Sequence, residues 1–228
     1  MGTVTQVENQ SEIVQRTFSD RKRTNILKRA EQLAIVFLLP KVPKFISPNA
    51  LTLIGTLGSA LIFIAFVLGS YLTNWYLLLG IIGLAINWFG DSLDGRLAYY
   101  RNIPRRWYGF ALDIIADWIS IVLIGFGYYI YAEKYTQILA FAFVSLYGWS
   151  IIISQLRYKI TNEYTIDSGF VGPTELRFII ALIVIAEVLF RGSIKYLVGL
   201  ITVILLVINI IDSLKLLKLG DLKDKKQD

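Results

Sequence analysis

The sequence predicts an all-α integral membrane protein with six transmembrane helices and an N-terminal juxtamembrane amphipathic helix. Hydrophobic residues make up 55% of the 228 residues and only 18% are charged, which is typical of membrane proteins. Six apolar stretches approach the roughly 20 residues that a helix needs to cross a bilayer. Basic residues gather at both ends of the chain and in alternate loops, as the positive-inside pattern requires.

The residues before the first span divide into two segments. Residues 1–24 are polar and are predicted to be a flexible cytoplasmic N-terminus, without the basic and apolar regions of a cleavable signal peptide. Residues 25–46 are predicted to contain the juxtamembrane helix, in which Lys28 and Arg29 precede an apolar run. Such a helix either lies in the membrane interface with its basic residues among the headgroups or packs on the bundle as a short flanking helix.

The six spans are predicted to form one domain, residues 47–214, followed by a basic cytoplasmic tail, residues 215–228. The predicted spans are about Ala50–Gly69, Trp75–Tyr99, Tyr108–Tyr131, Tyr135–Leu156, Thr174–Phe190 and Ile194–Leu214.

Charge fixes the predicted orientation. The loop after the second span holds Arg101, Arg105 and Arg106, whereas the turn at residues 71–74 carries no charge. Both termini and the loop after the second span are therefore predicted to be cytoplasmic, in the cell (inner) membrane. The net charge of +6 flanks apolar spans, so we assign it to contacts with membrane lipids rather than to nucleic acid.

Four aspartates around that loop are the strongest functional signal in the chain. Asp91 and Asp94 are three residues apart, and Asp113 and Asp117 are four apart, so each pair lies on one face of a helix. Ionisable residues at membrane spans indicate function by default. Because the chain has no His and no Cys, carboxylates and hard cations such as Mg²⁺ or Mn²⁺ are the chemistry left. The plainer alternative is that each acid pairs with a nearby arginine.

The spacing indicates what such a site would hold. Carboxylates with Mg²⁺ bind a diphosphate, whose oxygens complete the metal coordination, and a spare carboxylate can take a proton from an attacking alcohol. Gly95 and Gly109 lack a Cβ atom and let helix backbones or a bulky ligand come close.

These residues resemble the signature of the CDP-alcohol phosphatidyltransferase family, D-x2-D-G-x2-A-R-x8/9-G-x3-D-x3-D. Tyr99 stands where that signature has an arginine, and Arg96 or Arg101 is a candidate to supply the missing charge. The matching positions are Asp91, Asp94, Gly95, Ala98, Gly109, Asp113 and Asp117.

Three further segments resemble family elements. Residues 47–55, SPNALTLIG, are similar to the Pro-Asn-x-x-Thr start of the first span, which is associated with the cytidine end of the donor. Ser47 also suits an N-cap and Pro48 a first helical position. Residues 154–159 resemble an element that members using phosphorylated polyols carry near the acceptor pocket, and residues 172–177 are similar to the acidic-basic element that opens their fifth span. Taken singly, basic residues there can also be snorkelling at span ends.

The resemblance implies a homodimer in which each six-helix subunit transfers a phosphatidyl group from a CDP-linked lipid, CDP-diacylglycerol, to a small alcohol and releases CMP. It implies two Mg²⁺ or Mn²⁺ ions on Asp91, Asp94, Asp113 and Asp117, with Asp117 also the general base. The donor would contact Asn49, Thr52, Asp94, Gly95, Ala98 and Gly109. The acceptor would contact Ser154, Arg157, Lys159, Arg177 and Arg105, whose charges favour a phosphorylated polyol such as glycerol 3-phosphate or an inositol phosphate.

Other readings stay open on the sequence alone. The same site would serve a CDP-choline or CDP-ethanolamine phosphotransferase that acts on a lipid hydroxyl. An ion or solute transporter would carry its acids in mid-span on broken helices. Tyr99 also raises the possibility of an inactive family member.

Overall fold

The structure is a computed structural model that describes residues 27–161 and 172–225. The described residues contain helices and no strand, which confirms the predicted all-α class. The segment predicted to be flexible, residues 1–24, lies outside the described residues, as do residues 226–228 of the basic tail.

Within the described ranges the chain forms seven α-helices, α1 Lys28–Leu38, α2 Pro48–Tyr71, α3 Leu78–Tyr100, α4 Arg106–Tyr131, α5 Gln137–Thr161, α6 Pro173–Leu189 and α7 Ile194–Asp224. Short 3-10 helices cover Leu39–Lys41 and Asn74–Leu77. Helices α2, α3, α4, α5 and α7 are long and apolar enough to cross a membrane. Helix α6 has 17 residues and is not among them, so a count of six spans remains a prediction.

Helix α1 packs on the bundle through one face. Ile35 and Leu39 are almost fully buried and join a cluster with apolar residues of α2 and α3. Leu33 and Phe37 of the same segment are exposed. Helix α1 lies within the segment predicted to carry the juxtamembrane helix, and its contact with the bundle is part of the fold.

The start of α2 is set by local chemistry. The Ser47 hydroxyl accepts a hydrogen bond from the Ala50 backbone N–H at 3.1 Å, and Pro48 occupies the first helical position. Proline has no N–H to leave unsatisfied there. The predicted N-cap is confirmed.

Helices α2 and α3 cross at glycines. A Cβ atom placed on Gly58 would lie 2.5 Å from the Asn87 backbone nitrogen and 2.7 Å from the Gly83 carbonyl oxygen. A Cβ atom on Gly90 would collide with the backbone of Gly55. Small residues allow helix backbones to approach this closely in membranes, so the crossing is fixed by the absence of side chains.

The helices pack in a closed order around the bundle. Helix α2 packs against α3 and α4, α4 against α5, α5 against α7, α7 against α6, and α6 against α3. At one end of this ring, buried Glu187 accepts hydrogen bonds from the Tyr131 hydroxyl at 2.7 Å and the Ile194 backbone N–H at 2.9 Å. The aspartates lie at the other end, where α3 ends and α4 begins.

Candidate active site

Three of the four aspartates meet. Carboxylate oxygens of Asp91, on α3, and of Asp113 and Asp117, on α4, all lie within 4.8 Å of one another. The two helices are joined by a short turn in which Asn102 adopts a positive φ of 56°, a conformation that asparagine tolerates. The spacing of each acidic pair and the shortness of this turn bring the carboxylates to one place.

Asp94 makes a different contact. Its Oδ2 atom accepts a hydrogen bond from the Thr52 hydroxyl at 2.6 Å, and its Oδ1 atom accepts one from the Gly95 backbone N–H. Thr52 and Asp94, both predicted donor contacts, are thus neighbours. The structure joins the SPNALTLIG segment of α2 directly to the aspartate signature of α3.

The carboxylate cluster fits a divalent cation. Three carboxylates at such distances repel one another unless positive charge lies between or beside them. Oxygen donors of this kind are the ligands that Mg²⁺ and Mn²⁺ prefer. Asp91, Asp113 and Asp117 are all half-buried, so the cluster is partly accessible while its electrostatic field is only partly screened.

The two signature glycines border open space. No atom of the described residues lies within 4 Å of a Cβ atom placed on Gly95 or Gly109, apart from their chain neighbours and their own helices' backbone. This contrasts with Gly58 and Gly90, where helix packing excludes any side chain. Two roles were predicted for Gly95 and Gly109: a close approach of helix backbones, or room for a bulky ligand. In the described part of the chain, no other helix backbone approaches either glycine closely.

Arg177, a predicted acceptor residue, lies against the aspartates. Its Nη2 atom is 2.6 Å from Asp91 Oδ2. Arg157, which belongs to the same predicted set, pairs with Asp212 of α7 at 3.5 Å. Ser154 is half-buried and Lys159 is exposed.

The segment that contains these α5 residues is connected to the start of α4. The rings of Tyr158 and Phe110 are 5.4 Å apart, and Phe110 directly follows Gly109. The predicted acceptor element at residues 154–159 is therefore next to one half of the aspartate signature.

A polar cluster lies near the start of α2. Arg105 donates to Asn49 Oδ1 at 2.7 Å, and the Asn49 amide donates to the Tyr108 hydroxyl at 3.2 Å. The Arg105 guanidinium also stacks over the Tyr108 ring at 4.0 Å. The structure therefore groups Arg105, predicted for the acceptor, with Asn49, predicted for the donor.

The position of the missing signature arginine is occupied by half-buried Tyr99, beside half-buried Ala98. Arg101, one candidate to replace it, contacts the segment before α2 instead: its guanidinium donates to the backbone carbonyls of Val42, Pro43 and Ile46. Arg96 is buried. Arg101 therefore ties the turn after α1 to the end of α3.

Sequence reasoning missed Asn87, Tyr108 and Asp212, each of which contacts a predicted site residue. Asn87 did carry a signal, because it is the one amide in the apolar run at residues 77–89. Asp212 carried a signal as well, because it is an acid within the predicted span Ile194–Leu214. The contact of Tyr108 with Asn49 joins two helices and left no local signal.

The fold and the site define a helical membrane protein with a carboxylate cluster suited to hard cations. A family model described as CDP-alcohol phosphatidyltransferase matches residues 45–211, which is well over half of the chain. The chain belongs to the CDP-alcohol phosphatidyltransferase family. A search of the curated proteins finds no match to it.

Family membership establishes the class of reaction. The family is a phosphotransferase family that transfers a phosphatidyl group from a CDP-alcohol to an alcohol, and it is typically dependent on a divalent metal. The resemblance stated from the aspartate signature is thereby confirmed, as is the assignment of the protein as an enzyme. Five long apolar helices make it a membrane protein.

Proposed function

We propose that the protein is a Mg²⁺- or Mn²⁺-dependent enzyme that transfers the phosphatidyl group of CDP-diacylglycerol to a small phosphorylated polyol and releases CMP. The observation that carries the proposal is the meeting of Asp91, Asp113 and Asp117 within the region that matches the family. The site would face the cytoplasm together with both termini, in the cell (inner) membrane, with α6 as a sixth span and a second copy completing a homodimer.

The donor would lie along the surface between α2 and the signature. Asn49 and Thr52 contact Arg105, Tyr108 and Asp94 there, and an amide and hydroxyls suit the polar edge of a nucleotide base and its ribose. Gly95, Ala98 and Gly109 would form the surface on which the nucleotide and diphosphate lie, since Gly95 and Gly109 border open space.

Two cations would be held by Asp91, Asp94, Asp113 and Asp117. When bound, they would supply positive charge to the diphosphate oxygens and stabilise the charge that develops during transfer. The Asp94 Oδ2 atom lies 2.6 Å from the Thr52 hydroxyl. From that position the Asp94 carboxylate would bind one of the cations.

The transfer itself needs a base. Asp117 would take the proton of the acceptor hydroxyl, whose oxygen forms a bond to the lipid-side phosphorus. The bond from that phosphorus to the bridging oxygen breaks, and the bridging oxygen leaves as part of CMP. Positioning of the two substrates contributes much of the rate, as in other phosphoryl-type transfers.

The acceptor would be held by Ser154, Arg157, Lys159 and Arg105. Guanidinium groups bind phosphate bidentately, and contact between Tyr158 and Phe110 keeps the α5 segment beside the signature. Arg177, which the sequence places in the same group, pairs with Asp91 as Arg157 pairs with Asp212, so an ion pair does not by itself remove either residue from the acceptor site.

The test is CMP release by purified protein in detergent with CDP-diacylglycerol, Mg²⁺ and a panel of acceptors. The panel holds glycerol 3-phosphate, inositol 1-phosphate, inositol and serine. We expect CMP with one of the two phosphorylated polyols, and its loss in Asp117→Asn. The matched control is Asp221→Asn, because Asp221 is an exposed acid that pairs with Lys225.

Two outcomes would contradict the proposal. CMP release with inositol or serine alone would refute the phosphorylated acceptor. If no acceptor of the panel supports CMP release, and CDP-choline or CDP-ethanolamine with diacylglycerol then gives product, the lipid is the acceptor instead.

A further inference from the structure

Arg177 is fixed between two residues of α3. Its Nε atom donates to Asn87 Oδ1 at 2.7 Å, and its Nη2 atom donates to Asp91 Oδ2 at 2.6 Å. Asn87 and Asp91 are four residues apart and therefore lie on one face of the helix. One guanidinium from α6 thus spans both, with its side chain 14% exposed.

Asn87 is held in turn from its other side. Its Nδ2 atom donates to the Gly55 carbonyl at 3.1 Å and to the Ser59 hydroxyl at 2.9 Å. Asn87 and Ser59 are both buried. Because a backbone carbonyl can only accept, the amide nitrogen must face α2 and the amide oxygen must face Arg177. The orientation of Asn87 is therefore determined by its partners.

This chain of contacts ends on a member of the carboxylate cluster. A carboxylate has two oxygens, so the one bound to Arg177 leaves the other as a cation ligand. Residues that hydrogen-bond to a ligating carboxylate orient it and tune its affinity for the metal. Arg177 also offsets one of the three negative charges of the cluster.

We propose that Asn87 is a positioning residue, which fixes Arg177 so that Arg177 orients the Asp91 carboxylate for cation binding. This inference rests on the proposed function, since it takes Asp91 as a cation ligand. It assigns Asn87 a role at the site, and it gives Arg177 a role separate from acceptor binding.

The test is Mn²⁺ binding in detergent without substrates, measured from the electron paramagnetic resonance signal of free Mn²⁺. Asn87→Ala removes the acceptor of Arg177 Nε and leaves the net charge of the site unchanged. We expect the Kd for Mn²⁺ to rise about 10- to 100-fold, as for other partners of metal ligands.

A second variant approaches the same contact from α6. Arg177→Lys keeps the positive charge, but an ammonium lacks the planar fork that reaches Asn87 and Asp91 together. We expect a similar rise in the Kd for Mn²⁺. Should Asn87→Ala not yield folded protein, this variant decides alone.

The matched control is Asn209→Ala. Asn209 is a buried asparagine, 1% exposed, that accepts from the Ser150 hydroxyl and donates to the Leu146 carbonyl, both at 2.7 Å. Its loss removes two hydrogen bonds between α5 and α7, so Tm should fall while the Kd for Mn²⁺ stays at the wild-type value. A purely structural role of Asn87 would give the same result as this control.

The outcomes separate the two levels of the hypothesis. Wild-type protein that binds Mn²⁺, with Asn87→Ala and Arg177→Lys binding it equally well, would overturn the positioning role and leave the proposed function standing. An Arg177→Lys variant altered only in its KM for the acceptor would return Arg177 to the acceptor site. Wild-type protein that fails to hold Mn²⁺ would overturn the metal site and the positioning role together.

Discussion

A methyl group at Gly95 should raise stability and lower activity. Gly95 lies inside α3, and no atom of the described residues outside its immediate helix lies within 4 Å of a Cβ atom placed there. Alanine is favoured over glycine in a helix interior by about 0.8–1.0 kcal/mol. With no collision to offset that gain, the Tm of Gly95→Ala should rise by about 2–4 °C.

The same methyl would meet the donor. An extra methyl group in a close-packed contact costs about 1–3 kcal/mol, which corresponds to an increase of about 5- to 150-fold in the KM for CDP-diacylglycerol. The assays are thermal unfolding in detergent and initial rates of CMP release at varied donor concentration. The KM for the acceptor should change much less, because the proposed function assigns Gly95 to the donor surface.

Gly58→Ala is the comparison variant for Gly95→Ala, because Gly58 lies in a helix crossing and not beside open space. Its Cβ atom would lie 2.5 Å from the Asn87 backbone nitrogen, so this variant should lose stability and activity together. A Gly95→Ala enzyme with wild-type KM for the donor would refute the assignment of Gly95 to the donor surface. A Gly95→Ala enzyme with lowered Tm would refute the argument that its Cβ atom meets no protein.

Three more outcomes are expected. Mn²⁺ should raise the Tm by relieving repulsion within the carboxylate cluster, by an amount equivalent to about 2.7 kcal/mol at a hundredfold excess over Kd. EDTA should reverse the effect, and Asp113→Asn should reduce it; an unchanged Tm in wild-type protein would count against the metal site. Glu187→Gln should destabilise the fold by about 1.5–3 kcal/mol, because an amide NH2 would face N–H donors at the start of α7. Its CMP release well below the Tm should match wild type, and loss of activity in a fully folded variant would contradict a structural role. Arg101→Ala should speed hydrogen exchange at residues 42–46, whose carbonyls it holds, and equal exchange rates would show that the contact does not stabilise that turn.

Local features of this chain were predictable. Ser47 and Pro48 define a helix start through contacts within four residues, so the sequence alone is enough to place it. The spacing of Asp113 and Asp117 determines that they share a helix face, and the short turn before α4 determines that Asp91 can meet them. Apolar length placed the membrane helices, although α6 is too short for length alone to decide.

Features that depend on distant partners were not predictable. Arg177 could be identified as basic and near the site, but its partners Asn87 and Asp91 are 90 and 86 residues away in the chain. The close approach at Gly58 depends on the crossing of α2 and α3, which no local pattern specifies. Asp94 was grouped with the other acids by spacing, whereas its contact with Thr52 depends on how two helices lie side by side.

The glycine crossing also limits how the protein can move. Surfaces that meet backbone to backbone, with no room for one methyl group, have no side chains that can change rotamer and let them slide. Helices α2 and α3 should therefore move as one rigid body. Any widening of the bundle must then come from movement of the other helices relative to this pair.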